Sequence, residues 1–348
     1  MTSASTARFP AEWEAQDAVL IAWPHADTDW RDNLADVEST YVALVLAITR
    51  FQRCVIVVAD APLRQQVETR LAGAGVDASR IKLVEAEYDD TWLRDSGPIT
   101  LVTGSGFVLN DFRFTGWGGK FGASRDDLLI TRLIEQGVFR QAHHRRIDFA
   151  LEGGAIETDG HGSLLTTFIC LHQRHPHLSR EQLVATLSEA LAVDRVMMLE
   201  HGELQGDDTD AHIDTLARLT DAETIVYQGC ADATDPHYAS LADMASEIAA
   251  LKMRDGKPYR TFALPWAHAI HDAGGRRLAA SYANFLMING AVLLPVYGDP
   301  ADAEAVRVLQ QACPDREIVP VPARPLIEQN GSLHCITMQL PRGVLNES

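Results

Sequence analysis

The sequence predicts an α/β fold arranged as a radial repeat within a single domain, residues 1–348. Apolar runs typical of buried strands alternate with segments of helical spacing along the chain. Five polar segments interrupt this alternation at intervals of 51 to 72 residues, and their central residues are Asp95, Glu152, His212, Asn284 and Cys335. These intervals are close to a fifth of the 348-residue chain, which is about 70 residues. The spacing therefore predicts five units of similar length, each of which sends one loop to a common axis.

The first predicted elements are strand, helix, strand and helix. Residues 18–23 and 54–58 are continuous apolar runs, which are typical of fully buried strands. Between them, apolar side chains recur at helical spacing over residues 34–48. Pro62 suits the first turn of a helix over residues 62–71, which the glycines that follow would end.

The remaining elements combine hairpins with helices. A Gly-Ser-Gly turn joins predicted strands at residues 99–102 and 107–112. Further helices are predicted at residues 125–136, 180–191, 238–251 and 301–312. Further strands are predicted at residues 224–227, 285–289, 292–296, 317–321 and 335–339. The many hairpins differ from a doubly wound sheet, and neither a Gly-x-Gly-x-x-Gly nor a Walker motif occurs.

The composition argues against several classes of protein. A formal net charge of −18 disfavours nucleic-acid binding and suits a cationic small molecule. The longest apolar run, residues 42–48, is too short for a membrane span, and residues 1–17 lack the pattern of a secretory signal. The five cysteines form no Cys-x-x-Cys pair, which argues against a disulfide framework or a thiolate zinc site. We therefore predict a cytoplasmic protein, for which the sequence also permits a homo-oligomer.

Cys335 and His212 are the candidates for nucleophilic and acid–base chemistry. Cysteines are most often small buried hydrophobic residues, but Cys335 follows a polar loop and opens a predicted strand, as a nucleophile can. In an extended segment, His212 and Asp214 would face the same side, and a carboxylate beside a histidine raises the histidine pKa. A solvated acidic loop and a metal-binding His-x-Asp pair are the alternatives for this segment.

The other candidates also have purely structural interpretations. Asp95 lies next to a Gly-Pro turn, and Glu152 precedes two glycines, which permit either a close backbone approach or a glycine bulge. Asn284 suits a hydrogen-bonded core position, and Trp92 suits core packing. Cys170 lies in an apolar run, which is typical of a structural cysteine.

Together these segments resemble the agmatine deiminase family, a branch of the guanidine-modifying enzymes that also includes bacterial peptidylarginine deiminases. The resemblance covers nearly the whole chain and rests on several long motifs in one order. The motifs are Trp23-Pro24-His25, Trp92-Leu93-Arg94-Asp95, Gly116-Trp117-Gly118-Gly119-Lys120, Glu152-Gly153-Gly154, Gly206-Asp207-Asp208-Thr209-Asp210-Ala211-His212-Ile213-Asp214, Ser281-Tyr282-Ala283-Asn284-Phe285 and His334-Cys335-Ile336-Thr337.

The resemblance implies a five-bladed α/β propeller of ββαβ units with an axial site, and no metal or organic cofactor. It implies that Cys335 is the nucleophile, His212 the general acid/base and Glu152 the partner of that histidine. Asp95 and Asp214 would clamp the guanidinium group, because carboxylates accept its paired N–H bonds. The remaining substrate-binding candidates are Trp92, Asp208 and Asn284. Nearby carboxylates raise a thiol pKa, so we expect Cys335 to be mostly protonated before substrate binds.

The acidic surroundings of these motifs favour agmatine, which carries two positive charges and no carboxylate. Trp92 can pack on its aliphatic stem or meet its ammonium group by a cation–π contact. Arg113 could instead meet a carboxylate, and a surface position is its ordinary alternative. Two departures concern the far end of the substrate: Ala211 replaces the glycine usual in relatives, and Asn330-Gly331-Ser332 replaces a common glycine triplet.

Three other functions remain open on the sequence. A cysteine enzyme of the same fold could act on peptidylarginine or free arginine. A metal-dependent hydrolase could use His212 and Asp214, and a non-enzymatic propeller could bind cations or partners. The thiol and histidine together argue against the non-enzymatic protein. The segment of residues 116–119 is a candidate lid, with an ordinary glycine turn as the alternative.

Overall fold

The computed structural model describes residues 7–140 and 142–346, and its strands form five small sheets. Four sheets have three strands and one has four. Each sheet combines an antiparallel pair with a parallel strand that follows a helical crossover. None of the helices in these residues is long and apolar enough to cross a membrane.

The first sheet begins with three parallel strands joined by helices. Its elements are β1 (Gln16–Ala22), α1 (Leu34–Thr49), β2 (Arg53–Val58), α2 (Ala61–Gly73) and β3 (Ile81–Glu85). The side chain of Asp60 accepts a hydrogen bond from the amide of Leu63 and so caps α2, and Pro62 lies in the first turn. The two strands and two helices predicted for this region are confirmed.

The second and third sheets repeat one order of elements. The second contains α3 (Leu93–Ser96), β4 (Ile99–Thr103), β5 (Gly106–Arg113), α4 (Gly116–Gly119), α5 (Leu129–Glu135) and β6 (Ala142–Ala150). The third contains β7 (Ile156–Thr158), β8 (Ser163–Thr167), α6 (Phe168–Arg174), α7 (Arg180–Leu191) and β9 (Arg195–Leu199). The predicted hairpin is confirmed as β4 and β5, and the predicted helix at 180–191 as α7.

The fourth and fifth sheets follow the same plan. The fourth contains β10 (Ala217–Asp221), β11 (Thr224–Gln228), α8 (Tyr238–Ala250) and β12 (Arg260–Leu264). The fifth contains β13 (Leu286–Ile288), β14 (Ala291–Val296), α9 (Asp302–Ala312) and β15 (Glu317–Pro322). Residues 291–295 of β14 are buried, because β14 lies between two strands and beneath a helix.

The last strand returns to the first sheet. β16 (Met338–Pro341) pairs antiparallel with β1, so the two ends of the chain share one sheet. The strand predicted from residue 335 is wrong at its start, because Cys335 lies in a turn ahead of β16. The amide of Thr337 donates to the carbonyl of His334 at 3.0 Å and closes this turn.

Each antiparallel pair is preceded by one of the five polar segments. Asp95 lies just ahead of β4, the turn Gly153–Ala155 ahead of β7, and the turn Ile213–Thr215 ahead of β10. Asn284 and Cys335 stand in the same relation to β13 and β16. The regular spacing of these segments therefore reflects five repeated units, and the predicted α/β propeller is confirmed.

Hydrogen bonds connect these segments to one another. The amide of Gly154 donates to Asp95 Oδ1 at 3.0 Å, and Asn284 Nδ2 donates to the carbonyl of Asp214 at 3.3 Å. The amide of Cys335 donates to Asn284 Oδ1 at 3.3 Å, and the amide of Arg94 donates to the carbonyl of Cys335 at 3.1 Å. The five segments thus meet at one place.

Candidate active site

An acidic pocket of about 290 Å³ opens where the segments meet. Six carboxylates line it, those of Asp29, Asp89, Asp90, Asp95, Asp126 and Asp208. Trp92 and Cys335 also line it, whereas none of its described lining residues is a lysine or arginine. Such a pocket attracts a cation.

Cys335 is buried at this pocket beside carboxylate and amide groups. Its Sγ lies 3.4 Å from Asn284 Oδ1 and 4.0 Å from Asp214 Oδ2. Burial raises the pKa of the Cys335 thiol well above its usual value, and the charges of Asp214 and Asp95 raise it further. This direction agrees with the prediction that the thiol is protonated before a cation binds.

His212 lies between two carboxylates and is almost completely buried. Its Nδ1 is 3.6 Å from Asp95 Oδ1, and its Nε2 is 3.5 Å from Glu152 Oε2. Neither ring nitrogen has a hydrogen-bond partner among the described residues. Burial by itself lowers the pKa of His212, but the charge of Asp95 and the contacts with Cys170 and Glu152 raise it well above its usual value.

The segment that carries His212 is not extended, so the predicted backbone geometry is wrong. The side chains of His212 and Asp214 still lie close to the same point, as expected. Ile213–Thr215 forms a 3-10 turn, and Asp210 and Ala211 have φ angles of 65° and 67°. Asp214 Oδ2 and His212 Nδ1 nevertheless both lie around Gly154. The turn, and not the alternation of a strand, brings the two side chains together.

Gly154 is the point where the backbone approaches the site most closely. A Cβ there would lie 2.6 Å from His212 Nδ1, 2.8 Å from Asp95 Oδ1 and 3.0 Å from Asp214 Oδ2. Only glycine leaves room for these three side chains. Of the two interpretations of the glycines after Glu152, the close backbone approach is the one observed.

Glu152 is held by Arg174, which sequence analysis missed. Arg174 Nε donates to Glu152 Oε1 at 2.8 Å, and Arg174 Nη1 donates to Asp210 Oδ2 at 2.6 Å. Burial alone would raise the pKa of Glu152. The contacts with His212 and Arg174 outweigh burial, so the pKa falls below its usual value. Glu152 is therefore an anion that faces the Nε2 edge of His212.

Asp214 belongs to a buried network that the sequence did not reveal. His334 Nδ1 lies 2.7 Å from Asp214 Oδ2, and His334 Nε2 lies 2.6 Å from Glu12 Oε2. Glu12 also pairs with Arg218 at 2.9 Å and with Arg94 at 3.2 Å. Burial raises the pKa of Asp214, but its contact with His334 outweighs this and lowers it.

Asp95 is oriented by Trp117, the tryptophan of the candidate lid segment. Trp117 Nε1 donates to Asp95 Oδ2 at 2.9 Å, while the amide of Gly154 holds Oδ1. Trp117 adopts a φ of 56°, which turns the indole of α4 into the pocket. Burial raises the pKa of Asp95 to about 6, although His212 opposes this.

A second group of carboxylates lines the pocket beyond Asp95. Trp92 Nε1 donates to Asp90 Oδ2 at 3.1 Å, and the amide of Asp89 donates to Asp126 Oδ1 at 2.7 Å. Burial raises the pKa of Asp90 to about 7 and that of Asp126 to about 7. Negative charge at these two side chains is therefore poorly compensated within the protein.

Asp208 lies on the opposite wall of the same pocket. Its Oδ2 accepts a hydrogen bond from Asn330 Nδ2 at 2.8 Å, and burial raises its pKa above the usual value. Like Asp90 and Asp126, it forms no ion pair between its side chain and a described lysine or arginine within 4 Å. The predicted substrate-binding residues Trp92 and Asp208 thus both line the pocket.

Asn284 and Arg113 both occupy the structural position that the sequence also allowed. Asn284 does not line the pocket; its side chain holds the turn around Cys335, so it fits the hydrogen-bonded core position that was its alternative. Arg113 is half exposed and pairs with Asp148 at 3.0 Å, as a surface arginine would.

The two departures from the family pattern fall on strained backbone. Ala211 has a φ of 67° and Asn330 a φ of 71°, in the left-handed region that favours glycine. Gly331 follows, and a Cβ there would lie 2.1 Å from the indole of Trp92. Asn330 and Gly331 therefore shape the pocket wall against Trp92.

Comparisons with known proteins agree with this arrangement. The family model of Porphyromonas-type peptidyl-arginine deiminase matches residues 8–341. The agmatine deiminase of Stutzerimonas stutzeri is 35% identical, with 96% of this chain and 95% of that protein covered. A solved Porphyromonas gingivalis protein, provisionally named an arginine deiminase, is 45% identical with a TM-score of 0.90, covering 98% of this chain and 100% of that one. An agmatine deiminase of C. jejuni, solved with substrate bound, is 32% identical with a TM-score of 0.89 and 97% of both chains covered.

Proposed function

Because the chain belongs to the Porphyromonas-type peptidyl-arginine deiminase family, we propose that it is an agmatine deiminase, a hydrolase that converts agmatine and water to N-carbamoylputrescine and ammonia. The observation that carries the proposal is the pocket beside Cys335, which presents six carboxylates and no lysine or arginine among its described lining residues. The agmatine deiminase of Stutzerimonas stutzeri, similar over 96% of this chain, supports it.

In this proposal, Asp95 and Asp214 hold the guanidinium group against Cys335. A guanidinium is planar, always charged and a poor electrophile, so its carbon must be fixed before attack. Paired N–H bonds to two carboxylates fix the plane of the group. The lowered pKa of Asp214 keeps that side chain ionised, and the cation favours the ionised form of Asp95.

The bound cation also activates the thiol. The charges of Asp95 and Asp214 disfavour a thiolate in the free protein. A guanidinium between them offsets this field, so Cys335 releases its proton to solvent when the substrate binds. Activation would then occur only when a cation occupies the site, which limits side reactions of the thiol.

The first half of the reaction releases ammonia. The Cys335 thiolate adds to the guanidinium carbon and forms a tetrahedral adduct. His212, which its carboxylate neighbours keep protonated, gives a proton to the departing nitrogen, and the carbon–nitrogen bond breaks. An S-alkylthiouronium group remains on Cys335. Glu152 orients the ring of His212 throughout.

The second half restores the enzyme. His212, now neutral, takes a proton from a water molecule as that water attacks the thiouronium carbon. The carbon–sulfur bond breaks, Cys335 leaves as the thiolate, and the ureido product is released. As the carbonyl of the ureido product forms, the added hydroxyl gives up its proton to the Cys335 thiolate, and His212 keeps the proton that it took from water, so both groups return to their starting states.

The carboxylates farther from Cys335 suit the second positive charge of agmatine. Asp90 and Asp126 are largely buried, and their raised pKa values near 7 reflect poorly compensated charge at each. A terminal ammonium would compensate it. Free arginine would bring a carboxylate into the same surroundings, where like charges repel. We therefore propose agmatine as the preferred substrate.

Ammonia release from agmatine, free arginine and a blocked peptidylarginine, measured side by side with chelator present, tests this function. We expect turnover of agmatine, and its loss in Cys335→Ala. Cys54→Ala, which removes a buried thiol from β2, is the matched control and should retain turnover. Preferred turnover of a carboxylate-bearing substrate would reject agmatine, and an active Cys335→Ala protein would reject the mechanism.

A further inference from the structure

Behind His212 lies a second thiol that the proposed mechanism does not use. Ligand atoms of Glu152, Cys170 and His212 all lie within 4.8 Å of one another, and all three residues are buried. The apolar run around Cys170 gave no sign of this contact, because the proximity arises from α6 packing behind the turn at residue 213. Carboxylate, thiolate and imidazole are ligands that Zn²⁺ binds.

The polar atoms of this cluster make no direct hydrogen bond, although Glu152 Oε2 and His212 Nε2 face each other at 3.5 Å. Glu152 Oε2 and both ring nitrogens of His212 are buried without a hydrogen-bond partner among the described residues. Arg174 takes only Oε1 of Glu152, so Oε2 remains free to accept a ligand bond. A buried unpaired polar atom costs free energy, and a cation that binds several such atoms recovers it.

We propose that Glu152, Cys170 and His212 form an inhibitory binding site for Zn²⁺ or a similar thiophilic divalent cation. Nε2 of His212 already lies 3.5 Å from Glu152 Oε2. A tetrahedral zinc ion holds its ligand atoms roughly 3.3 to 3.8 Å apart, so closure of the remaining gaps by about 1 Å completes the three contacts. Two anionic ligands balance the charge of the ion.

Inhibition follows from the position of the ion on His212. The mechanism needs His212 to give one proton and take another, through the nitrogen that faces Asp95. A metal on the opposite nitrogen replaces the contact with Glu152 and leaves a neutral, metal-bound ring in place of the imidazolium. The N–H that remains on a neutral, metal-bound ring is too weak an acid to protonate the departing ammonia, so the tetrahedral adduct on Cys335 cannot break down.

Binding of the ion exchanges with protons. The Cys170 thiol loses its proton to form the metal–sulfur bond, and Nε2 of His212 loses its proton to form the metal–nitrogen bond. Nothing is oxidised or reduced. A chelator therefore reverses the inhibition, whereas oxidation of either thiol would survive the chelator.

The activity test compares three proteins. Wild type, Cys170→Ser and Cys230→Ser are titrated with ZnCl₂ during agmatine turnover, a readout that rests on the proposed function. Cys230 is a partly exposed thiol outside the pocket and controls for nonspecific binding. We expect Cys170→Ser to need at least about 10-fold more zinc for half-inhibition, as loss of a contact at a metal site requires, and Cys230→Ser to match wild type.

A spectroscopic test does not depend on the substrate. Cys335→Ser, which lacks the nucleophile, is titrated with Co²⁺, and thiolate ligation is read from its near-ultraviolet charge-transfer absorption. The band should appear in Cys335→Ser and vanish in Cys335→Ser/Cys170→Ser, with Cys335→Ser/Cys170→Ala as a second variant should serine disturb folding. Equal zinc sensitivity with and without Cys170, or a band that persists in both double variants, would overturn the proposal. A protein that binds Co²⁺ through Cys170 but leaves agmatine unchanged would refute the function and keep the site.

Discussion

The reactivity of Cys335 depends on charges that differ between the free and the occupied pocket. Asp214 and Asp95 stand beside a buried thiol and raise its pKa, while neighbouring carboxylates raise that of His212. The nucleophile and the acid are therefore both protonated before a cation arrives. The bound guanidinium offsets the carboxylate charges near the sulfur, so Cys335 becomes a thiolate while His212 stays protonated. Nucleophile and acid therefore reach their reactive protonation states only when the guanidinium is present.

Alkylation by iodoacetamide measures this field. We expect the pH profile of Cys335 modification to give an apparent pKa above the free-thiol value of about 8.5. Asp95→Asn should lower that apparent pKa, because it removes a negative charge near the sulfur. Peptide mass spectrometry assigns the modified residue. A wild-type pKa well below the free value would contradict the account.

Asp90 is expected to act on the far end of the substrate. Asp90→Asn should reduce kcat/KM for agmatine about 10- to 100-fold, since hydrogen bonds to charged groups contribute about 1.5–3 kcal/mol. An alkylguanidine without the amine should show little change, which separates ammonium binding from damage to the site. Asp27→Asn, on the surface, is the control. Equal losses with both substrates would refute the assignment.

The same side chain predicts a pH dependence. Burial raises the pKa of Asp90 to about 7, and an ammonium group binds the ionised form more tightly. The KM for agmatine should therefore fall as pH rises through about 7, and this fall should become smaller in Asp90→Asn, in which Asp126 alone of the two titrates in this range. A profile that Asp90→Asn leaves unchanged would place the titrating group elsewhere.

At the scale of elements, short turns ahead of the hairpins place the chemistry. The turn Gly153–Ala155 has no room for a side chain at Gly154, which lies against His212, Asp95 and Asp214. Each turn leads directly into a strand of its sheet. The rigid sheet therefore fixes the position of the site side chains, although these lie on irregular backbone. This explains why precise geometry does not require the site residues to lie on the strands.

Gly154→Ala tests this arrangement. The added Cβ would lie 2.6 Å from His212 Nδ1, so the histidine must move, and a displacement near 1 Å can cost about 100-fold in rate. We expect kcat to fall by that order while the protein stays folded by circular dichroism. Gly73→Ala, where nothing lies within 4 Å of the new Cβ, should behave as wild type. Unchanged kcat in Gly154→Ala would show that the close approach is unimportant.

Sequence patterns predicted the interior elements better than the edges. The strands β1, β2 and β14 are apolar and buried, and their runs are readable in the sequence. The edge strands β3, β6, β7, β9, β10 and β12 were missed, because an edge strand has a neighbour on one side only and needs no continuous apolar run. The central strand β8 was also missed, because three of its five buried residues are serine or threonine. The turn before β16 was missed because its amides at His334 and Cys335 donate hydrogen bonds to a distant residue, Asn284.

Over the whole molecule, a buried ionic network connects several of the repeated units. Glu12 contacts His334, Arg94 and Arg218, and it accepts from the amide of Met287 at 2.7 Å. The even spacing of the polar segments predicted that five units meet. It did not predict the role of Glu12, because Glu12 belongs to none of these segments. Contacts between residues far apart in the chain leave no local pattern, and the same holds for the contact between Cys170 and His212.

Glu12→Gln should destabilise the protein by about 3–5 kcal/mol, the usual result of breaking a buried ion pair. Urea unfolding measures it, with Glu14→Gln as the control, because Glu14 pairs with a partly exposed arginine. The pKa of Glu12 lies well below its usual value, so its contribution is present above the unfolded-state pKa and is lost as pH falls. The difference between wild type and Glu12→Gln should therefore shrink in acid, and a constant difference would exclude Glu12 as the titrating group.

Mass spectrometry of the acid-quenched enzyme tests the central claim most directly. Wild type mixed with agmatine should gain the mass of agmatine less one ammonia, on the peptide that contains Cys335. The gain should be absent from Cys335→Ala. A steady turnover of agmatine with no adduct under any quench time, or an adduct on a different cysteine, would contradict a covalent mechanism through Cys335.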